Sequence, residues 1–489
     1  MGRKTRIMAA LLCTSALALP AAQGQETSRE DLEDRVRRLE ALVEQLADQL
    51  AAERRATRQQ QQSDEAPDSM APVDETERLA EAEAKVQEVD EQVAQVSEQL
   101  ESMSQFFERE REPGFSIGDT QVTFGGYVKL DTIVAAYSNG APPGSSPGRD
   151  FYIPSTIPVA PGAASQTVFD FNPRETRFQF ETETPLGAHT LTSHIEFDFL
   201  VTSNDNELVS NSFTPRMRQA YLTYRGFLFG QAWSTFQNVS ALPENLDFIG
   251  PTEGTVFNRQ PMIRYTRGAF EVALENPETT VTSGTSGRIV ADADNLPDLT
   301  ARYTHKTALG DIKLAGIVRQ LRLGEGTAVA GAGPDGTAIV LEEAETALGV
   351  GASLSGRLKV GERDDVRFMA NVGQGLARYM GVALVNGAAV EEDGSLDPIF
   401  LYSGFASYRH FWNKRWRSNA TVGFFRAHNP VERTGFGVTD RTYSAHVNLL
   451  YSPIPKLTLG LEYVYANRRI ESGDAADMNR FQFSARYGF

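Results

Sequence analysis

Two groups of residues have types and spacings that could do chemistry. His194, Glu196 and Asp198 alternate along one predicted strand, so they share a face that could bind a metal ion or exchange protons. Ser444 and His446 share a face in the same way, which would suit hydrolysis, but no oxyanion motif accompanies them. A strand face that meets water needs polar residues in any case. We therefore predict no catalytic residue, no metal site and no cofactor.

The elements that position these residues are short strands with a period of two. In the last segment, 478–489, Phe481, Phe483 and Tyr487 fall on one parity and Arg480 and Arg486 on the other. Sixteen such segments are predicted: 122–136, 174–184, 191–199, 216–225, 226–235, 261–267, 269–276, 298–306, 311–321, 343–354, 366–379, 398–411, 418–428, 441–452, 457–468 and 478–489. Tight turns alternate with long loops between them. The fold class is therefore all-β, a transmembrane antiparallel barrel of about 16 strands with lipid outside and a wet lumen inside.

The N-terminal part has a different organisation. Residues 1–24 combine an early cationic stretch, an apolar run and small residues near Gly24, which indicates a signal peptide that also contains the one cysteine, Cys13. Residues 25–112 carry heptads and predict a periplasmic α-helical coiled coil, interrupted by a polar linker over 59–74. The first heptad run favours dimers and the second favours trimers, so the heptads leave the number of strands in the coil open. The barrel is assigned to residues 113–489.

Charge narrows the range of partners. The chain of 489 residues has a formal net charge of −17, which argues against nucleic acid. Of the 33 cations in residues 113–489, 27 are arginine. Arginine presents a planar fork of donors that suits carboxylates and phosphates, so this bias is typical of an anion-binding face. An equally plain explanation is a general preference for arginine over lysine.

Three motifs resemble a known family. They are FGGYVKLD at 124–131, FGQAWSTF at 229–236 and NRQPMIRY at 258–265. Together with the heptads and the terminal Phe489, they resemble the DcaP-like trimeric outer-membrane porins. The resemblance implies a homotrimer of 16-stranded barrels with periplasmic coiled coils, through which small anions, including dicarboxylates and aromatic acids, diffuse. Related phosphate-selective porins use ladders of lysine, and this chain departs from them with six lysines in its barrel.

The resemblance also implies a loop after the fifth strand that folds into the lumen. Here that connection is 236–260, and its candidate constriction residues are Glu244, Asp247, Glu253 and Arg259. The same length of chain could instead cover the barrel from outside. Strand parity assigns seven arginines to the polar face as candidate pore-lining residues: Arg177, Arg264, Arg302, Arg319, Arg367, Arg480 and Arg486. Strand parity is ambiguous at Arg378 and Arg426. Acidic residues share the polar face with the arginines, so the sequence is as consistent with a lumen of mixed charge as with a cationic lumen.

These observations predict a porin of the bacterial outer membrane rather than an enzyme. It would pass small hydrophilic solutes and favour small organic anions such as dicarboxylates. Its predicted partners are outer-membrane lipid, small anionic solutes and two further copies of the chain. Two alternatives stay open: a phosphate-type anion porin, and a structural tether whose coiled coil contacts peptidoglycan.

Overall fold

A computed structural model describes residues 114–201, 210–283, 287–333 and 336–489 of the chain. The predicted signal peptide, heptads and linker lie outside these described residues and stay predictions. None of the helices in the described part is long and apolar enough to cross a membrane.

Sixteen barrel strands form one closed antiparallel sheet, as the sequence predicts. The second of them, β2, is interrupted and has two parts. The strands are β1 Thr120–Tyr137, β2 Gln166–Asn172 with Arg177–Leu186, β3 His189–Asp198, β4 Arg216–Tyr224, β5 Phe227–Trp233, β6 Arg259–Arg267, β7 Phe270–Glu275, β8 Asp298–Thr307, β9 Gly310–Leu323, β10 Glu345–Val360, β11 Asp364–Gln374, β12 Phe400–Phe411, β13 Trp416–His428, β14 Thr439–Ile454, β15 Leu457–Ile470 and β16 Ala475–Gly488.

The barrel closes between its first and last strands. β16 pairs with β1 from Tyr127↔Gly488 to Tyr137↔Met478, which confirms the pairing expected of the terminal segment. Beyond this ladder the Phe489 amide donates to Gly126 O at 3.1 Å. Gly126 has φ +149°, and a Cβ there would lie 2.1 Å from the carbonyl oxygen of Arg177, so only glycine fits. Closure leaves neither edge of the sheet unpaired, which lipid requires because it offers no hydrogen bonds.

The two faces of the barrel have inverted polarity relative to a water-soluble protein. Large apolar side chains such as Phe481 and Leu461 are more than 60% exposed on the outer face. Charged side chains such as Arg480, Glu462 and Asp198 are at most 2% exposed on the inner face. An apolar band outside and a polar interior are the two requirements of a barrel that spans a membrane.

Connections differ in length at the two ends of the barrel. At one end, called the turn end, seven connections span two to four residues, such as 187–188 and 412–415. At the other, the loop end, the connections are 138–165, 199–215, 234–258, 276–297, 324–344, 375–399, 429–438 and 471–474. The loops contain two four-residue helices, α1 Pro147–Asp150 and α2 Val431–Thr434, and 3-10 turns at Pro154–Thr156, Val239–Ala241, Thr252–Gly254 and Ala377–Tyr379.

Short strands outside the barrel wall complete the fold. A four-stranded sheet joins two of the long loops through Thr279–Thr282, Arg288–Ala291, Ala388–Val390 and Leu396–Pro398. Ala328–Val329 pairs with Ile339–Val340, and Gly114–Ile117 pairs with the start of β1.

Three predicted strand boundaries are wrong by five residues or more. The predicted strand 343–354 continues to Val360, and the other two differ for local reasons. The predicted strand 366–379 ends at Gln374, because Gly375 (φ 70°) and Ala377 (φ 41°) turn the chain out of the extended conformation. The segment 166–172, predicted as loop, is the first part of β2 and pairs with β1 beyond an interruption at 173–176 that begins with Pro173.

Candidate functional site

The connection after β5, residues 234–258, crosses the interior of the barrel and is called the inner loop. Along its length it hydrogen-bonds inward-facing side chains of β6, β8, β10–β16 and β1. A loop that covered the barrel from outside could not contact so many wall strands. The loop is therefore folded into the lumen, the first of the two arrangements that its length allowed.

The middle of the inner loop is held by charged residues of three neighbouring wall strands. The Leu246 and Asp247 amides donate to the two carboxylate oxygens of Glu462 at 2.7 and 3.2 Å. Arg480 donates to the Asp247 carboxylate at 3.1 Å, and both side chains are fully buried. Lys129 donates to Leu246 O at 2.8 Å. These bonds fix the depth at which the loop crosses the lumen.

Glu244 ties the loop to the next strands of the wall, β12 to β14. Arg417 Nε donates to its carboxylate at 2.9 Å, Arg409 Nη1 donates to the same group at 2.9 Å, and Asn419 and Asn448 donate to Glu244 O. Burial alone would raise the pKa of the Glu244 carboxyl, but the hydrogen bonds and charges of Arg417 and Arg409 lower it overall. Glu244 therefore stays ionised and paired with two cations.

The tip of the loop around Glu253 packs directly against the backbone of a wall strand at a glycine. Gly254 faces Gly404 of β12 so closely that a Cβ on Gly254 would lie 2.3 Å from the Gly404 carbonyl oxygen. Ser444 donates to Glu253 Oε1 at 2.6 Å. Burial raises the pKa of the Glu253 carboxyl, and the bond from Ser444 and the nearby His446 offset this only in part.

All seven predicted arginines lie on the inner face, but most of them are engaged. Arg302 and Arg367 donate to the inner-loop carbonyls of Gln237 and Leu242, and Arg480 holds Asp247. Arg319 is buried against Asp298 and the Gly375 and Glu278 carbonyls. Arg177 stacks over Tyr127 and Phe248, Arg486 lies 4.0 Å over the Tyr127 ring, and Arg264 donates to Thr235. Their part in selectivity stays a proposal.

The structure also shows where Arg378 and Arg426 lie, and it places the candidate Arg259 in a strand. Arg426 faces outward, because its neighbours Phe425 and Ala427 are buried inside the barrel. Arg378 lies in a loop turn and donates to Gln260 and to Asn276 O. Arg259, assigned above to the loop, is the first residue of β6 and stacks 4.9 Å over the Trp233 ring.

Sequence reasoning missed the cations that hold the loop most directly. These are Lys129, Arg409 and Arg417, which are not among the candidate site residues that the sequence predicts. Arg409 lies on the inner parity of β12, so a complete parity count would have found it. Arg417 lies at the start of β13, where the predicted strand had not yet begun.

A basic cavity of about 220 Å³ lies beside the inner loop, toward the turn end. Its charged lining residues are Arg264 of β6, Arg302 of β8 and Lys313 of β9, and its polar lining includes Gln219, Tyr221 and Ser240. Glu271 contacts Arg302 at 2.5 Å and Arg264 at 3.9 Å, and Asp311 lies 3.6 Å from Lys313. Three cations thus face two carboxylates, which leaves one positive charge in excess.

A second loop, 375–399, also fills part of the lumen. Leu376, Tyr379 and Met380 are fully buried in an apolar cluster with Phe236 and Val256 of the inner loop. Tyr379 donates to the Asp298 carboxylate at 2.8 Å. The sequence predicted a single infolded loop, so this second one is a finding of the structure.

The two groups that could do chemistry have structural partners. His194 Nδ1 lies 2.9 Å from Glu181 and its ring stacks on Tyr221. Ser444 lies 3.0 Å from His446, and both are buried under the inner loop. Among the described residues no group of histidine, cysteine and carboxylate side chains could hold a metal ion.

Comparison with known proteins adds the family. A family model described as DcaP outer membrane protein matches residues 87–489. The chain belongs to the DcaP outer membrane protein family. It is accordingly an outer-membrane channel of the porin type and not an enzyme, which confirms the resemblance. A search of curated proteins gave no match.

One solved structure shares the architecture of this DcaP-family chain, and two others are more distantly similar. The crystal structure of the outer membrane channel DcaP of Acinetobacter baumannii has a TM-score of 0.61 at 21% identity, and the match covers 77% of this chain and 99% of that one. This likeness shows the fold alone. An anion-selective porin from Comamonas acidovorans gives 0.44 at 11% identity, covering 76% and 100%. Salmonella typhi OmpF in complex with daunomycin gives 0.46 at 10%, covering 77% and 100%.

Glu462→Gln is expected to loosen the middle of the inner loop. The amide group would turn its NH₂ toward one of the two backbone N–H donors, and an unsatisfied buried donor costs roughly 1–3 kcal/mol. Single-channel recordings in planar bilayers should show a larger and noisier conductance. Glu471→Gln at the loop end, where Glu471 accepts from Asn429, is the matched control and should behave as wild type. Unchanged conductance in Glu462→Gln would contradict the anchoring role.

Two carboxyls of the inner loop should respond to pH with opposite signs. The raised pKa of Glu253 means that its burial costs stability at alkaline pH and that this cost disappears as pH falls. The lowered pKa of Glu244 means that its pairing stabilises above its ordinary pKa and that this contribution is lost on acidification. We therefore expect Glu253→Gln to raise, and Glu244→Gln to lower, the thermal midpoint at pH 8.

The difference for Glu253→Gln should shrink near pH 4 to 5, and that for Glu244→Gln should shrink only below about pH 4, each by about 2 °C or more. Midpoints in detergent, followed by loss of the compact form on unheated gels, measure this. His446 and Tyr152 also face Glu253 and are unchanged in both variants. If the thermal midpoints of both variants change with pH as the midpoint of wild type does, the ionisation of neither carboxyl contributes to stability in this way.

Proposed function

We propose that this outer-membrane channel passes small hydrophilic solutes and prefers small organic anions such as dicarboxylates. The observation that carries the proposal is the basic cavity lined by Arg264, Arg302 and Lys313. It lies against the inner loop, so a solute that passes the loop on this side meets three cations in succession. Rings or clusters of arginine and lysine are the common means by which pores favour anions.

The charge balance of the cavity suits a weakly bound anion. Glu271 already occupies part of the Arg302 and Arg264 guanidinium groups, and Asp311 lies near Lys313. A solute carboxylate would therefore share these cations with fixed carboxylates instead of neutralising an isolated charge. Conduction needs a site that attracts the solute and also releases it, and such shared pairing meets both needs.

The size of the cavity favours a small acid. A volume of about 220 Å³ exceeds the ~30 Å³ share of one water several times, so it has room for a short dicarboxylate. The planar guanidinium forks of Arg264 and Arg302 each keep N–H donors beyond those that Thr235, Gln237 and Glu271 engage, and a solute carboxylate can accept from these. Phosphate also fits such forks, and it is the alternative solute that the experiment must separate.

Reversal potentials in a salt gradient across a planar bilayer should show anion preference in the wild-type channel. Arg264→Ala and Arg302→Ala should each reduce the anion-to-cation permeability ratio, roughly twofold or more, because each removes a lumenal charge within a Debye length of the path. Arg267→Ala is the control, since Arg267 is exposed at the turn end of β6 on the outer parity.

Solute competition then identifies the preferred anion. Succinate should reduce the single-channel chloride current more than equimolar phosphate or glucose, and this difference should fall in Arg302→Ala. Cation-selective wild-type currents would exclude the proposal. Unchanged selectivity in both arginine variants would place the selective region elsewhere in the lumen.

We also propose that the chain functions as a homotrimer with a periplasmic coiled coil. The support is the family and the second heptad run in the sequence. Light scattering of the detergent-solubilised protein should give three times the mass of one chain. A variant lacking residues 25–112 should lose part of this association if the heptads contribute to it, whereas a monomeric wild-type protein would contradict the proposal.

A further inference from the structure

Three arginines form a row on the outer face of the barrel near its loop end. Arg426 of β13 is directly opposite Arg441 of β14, and Arg441 is directly opposite Arg469 of β15. All three have the outward parity of their strands, since the flanking Ala427 and Thr442 are buried inside. We call Arg426, Arg441 and Arg469 the arginine row.

The arginine row lies just beyond a belt of aromatic side chains. Two residues nearer the turn end on the same parity, Phe424 is opposite Tyr443, and both are more than 40% exposed. Tyr402 of β12 is directly opposite Arg426. Two residues of strand span about 7 Å. Aromatic belts mark the boundary between acyl chains and headgroups, so the arginine row lies at headgroup depth.

Charges within the barrel do not neutralise this row. Asp440 lies 3.7 Å from Arg426 and 3.9 Å from Arg441, both beyond good hydrogen-bond distance. Arg426 and Arg441 keep 45% and 44% of their side-chain surface exposed. In the described part of the chain, no carboxylate lies within 4.0 Å of Arg469. Like charges on directly opposed strand residues are destabilising, so three guanidinium groups with one carboxylate favour an added anion.

An anion would meet the row from its exposed side and not from the neighbouring cavity. A polar cavity of about 310 Å³ borders Arg426, His428 and Asp440. Asp397 and Glu471 also line it, so three carboxylates outnumber one arginine and the cavity itself is acidic. The exposed faces of Arg426 and Arg441 are the positive part of this surface.

We propose that the arginine row binds the phosphate groups of a phosphorylated lipid of the outer leaflet. Guanidinium forks hold phosphate oxygens in paired, charge-assisted hydrogen bonds. Phe424 and Tyr443 lie immediately on the membrane side of the row and Tyr402 lies level with Arg426, so these rings contact the lipid's apolar part. This apolar contact is the reason to assign a lipid headgroup and not a free phosphate ion. The inference concerns the outer surface and does not depend on the solute that the lumen carries.

Binding of lipid A with two phosphates to the purified full-length channel tests the proposal. Native mass spectrometry in detergent would count bound lipid for wild type and for the triple variant Arg426→Gln, Arg441→Gln, Arg469→Gln. The matched control is Arg267→Gln, Arg363→Gln, Arg415→Gln, which removes three exposed arginines at the turn end. We expect the row variant to bind at least about tenfold more weakly, while the control binds as wild type.

Wild type alone provides a second readout that no folding defect can obscure. Lipid A without phosphates should bind at least about tenfold more weakly than the diphosphorylated form, and excess inorganic phosphate should not displace the latter. Equal binding of both forms, equal binding by the row variant, or full displacement by free phosphate would each overturn the proposal. So would a change in oligomeric mass of the row variant, which would make the row a contact between subunits. Loss of binding in a chelator, equal in wild type and row variant, would assign the lipid to the carboxylates through a divalent cation instead.

Discussion

The pairing of buried carboxylates with wall cations is the interaction on which the interior depends. Glu244 enters the lumen between Arg409 and Arg417, and Asp247 lies against Arg480. Removing one partner of a fully buried pair such as Asp247 and Arg480 typically costs roughly 3–5 kcal/mol, because the remaining charge is left without compensation. These pairs, together with the apolar cluster that Phe236 and Val256 join, hold the inner loop at a defined depth across a wet barrel. At Gly254 the loop packs directly against the backbone of Gly404, and this close contact fixes the position of the loop there.

This arrangement divides the lumenal arginines into two kinds. Arg480 and Arg319 are buried and bonded within the protein, so they shape the lumen without meeting a solute. Arg264 and Arg302 are also bonded, yet they border an open cavity and share their carboxylate partner, Glu271. Position on the inner face is therefore not the property that makes an arginine available to an anion. Availability depends on which donors the inner loop and the fixed carboxylates leave unused.

Strand parity explains how much of this could be predicted from sequence. A period of two assigns each residue to a face independently of distant contacts, so the sixteen strands, their closure and the inward side of Arg177 to Arg486 follow from local pattern. Parity loses its meaning where the backbone leaves the extended conformation, as at Gly375 and Ala377, which is why parity alone leaves Arg378 ambiguous. It also says nothing about pairing across the lumen, because Arg417 and Glu244 are separated by 173 residues. The second infolded loop, with Tyr379 on Asp298, is hidden for the same reason.

Arg426 illustrates how parity and environment together decide the role of an arginine. A bulge or glycine could have turned it inward, where it would have been one more lumenal cation. The structure places it outward with Arg441 and Arg469, at a depth where exposed arginine meets neither lipid tails nor bulk water. The abundance of arginine in the barrel thus has no single cause. Inside the barrel, the arginine guanidinium groups donate to loop carbonyls and carboxylates. On the outer face near the loop end, the same group is positioned to bind lipid phosphate.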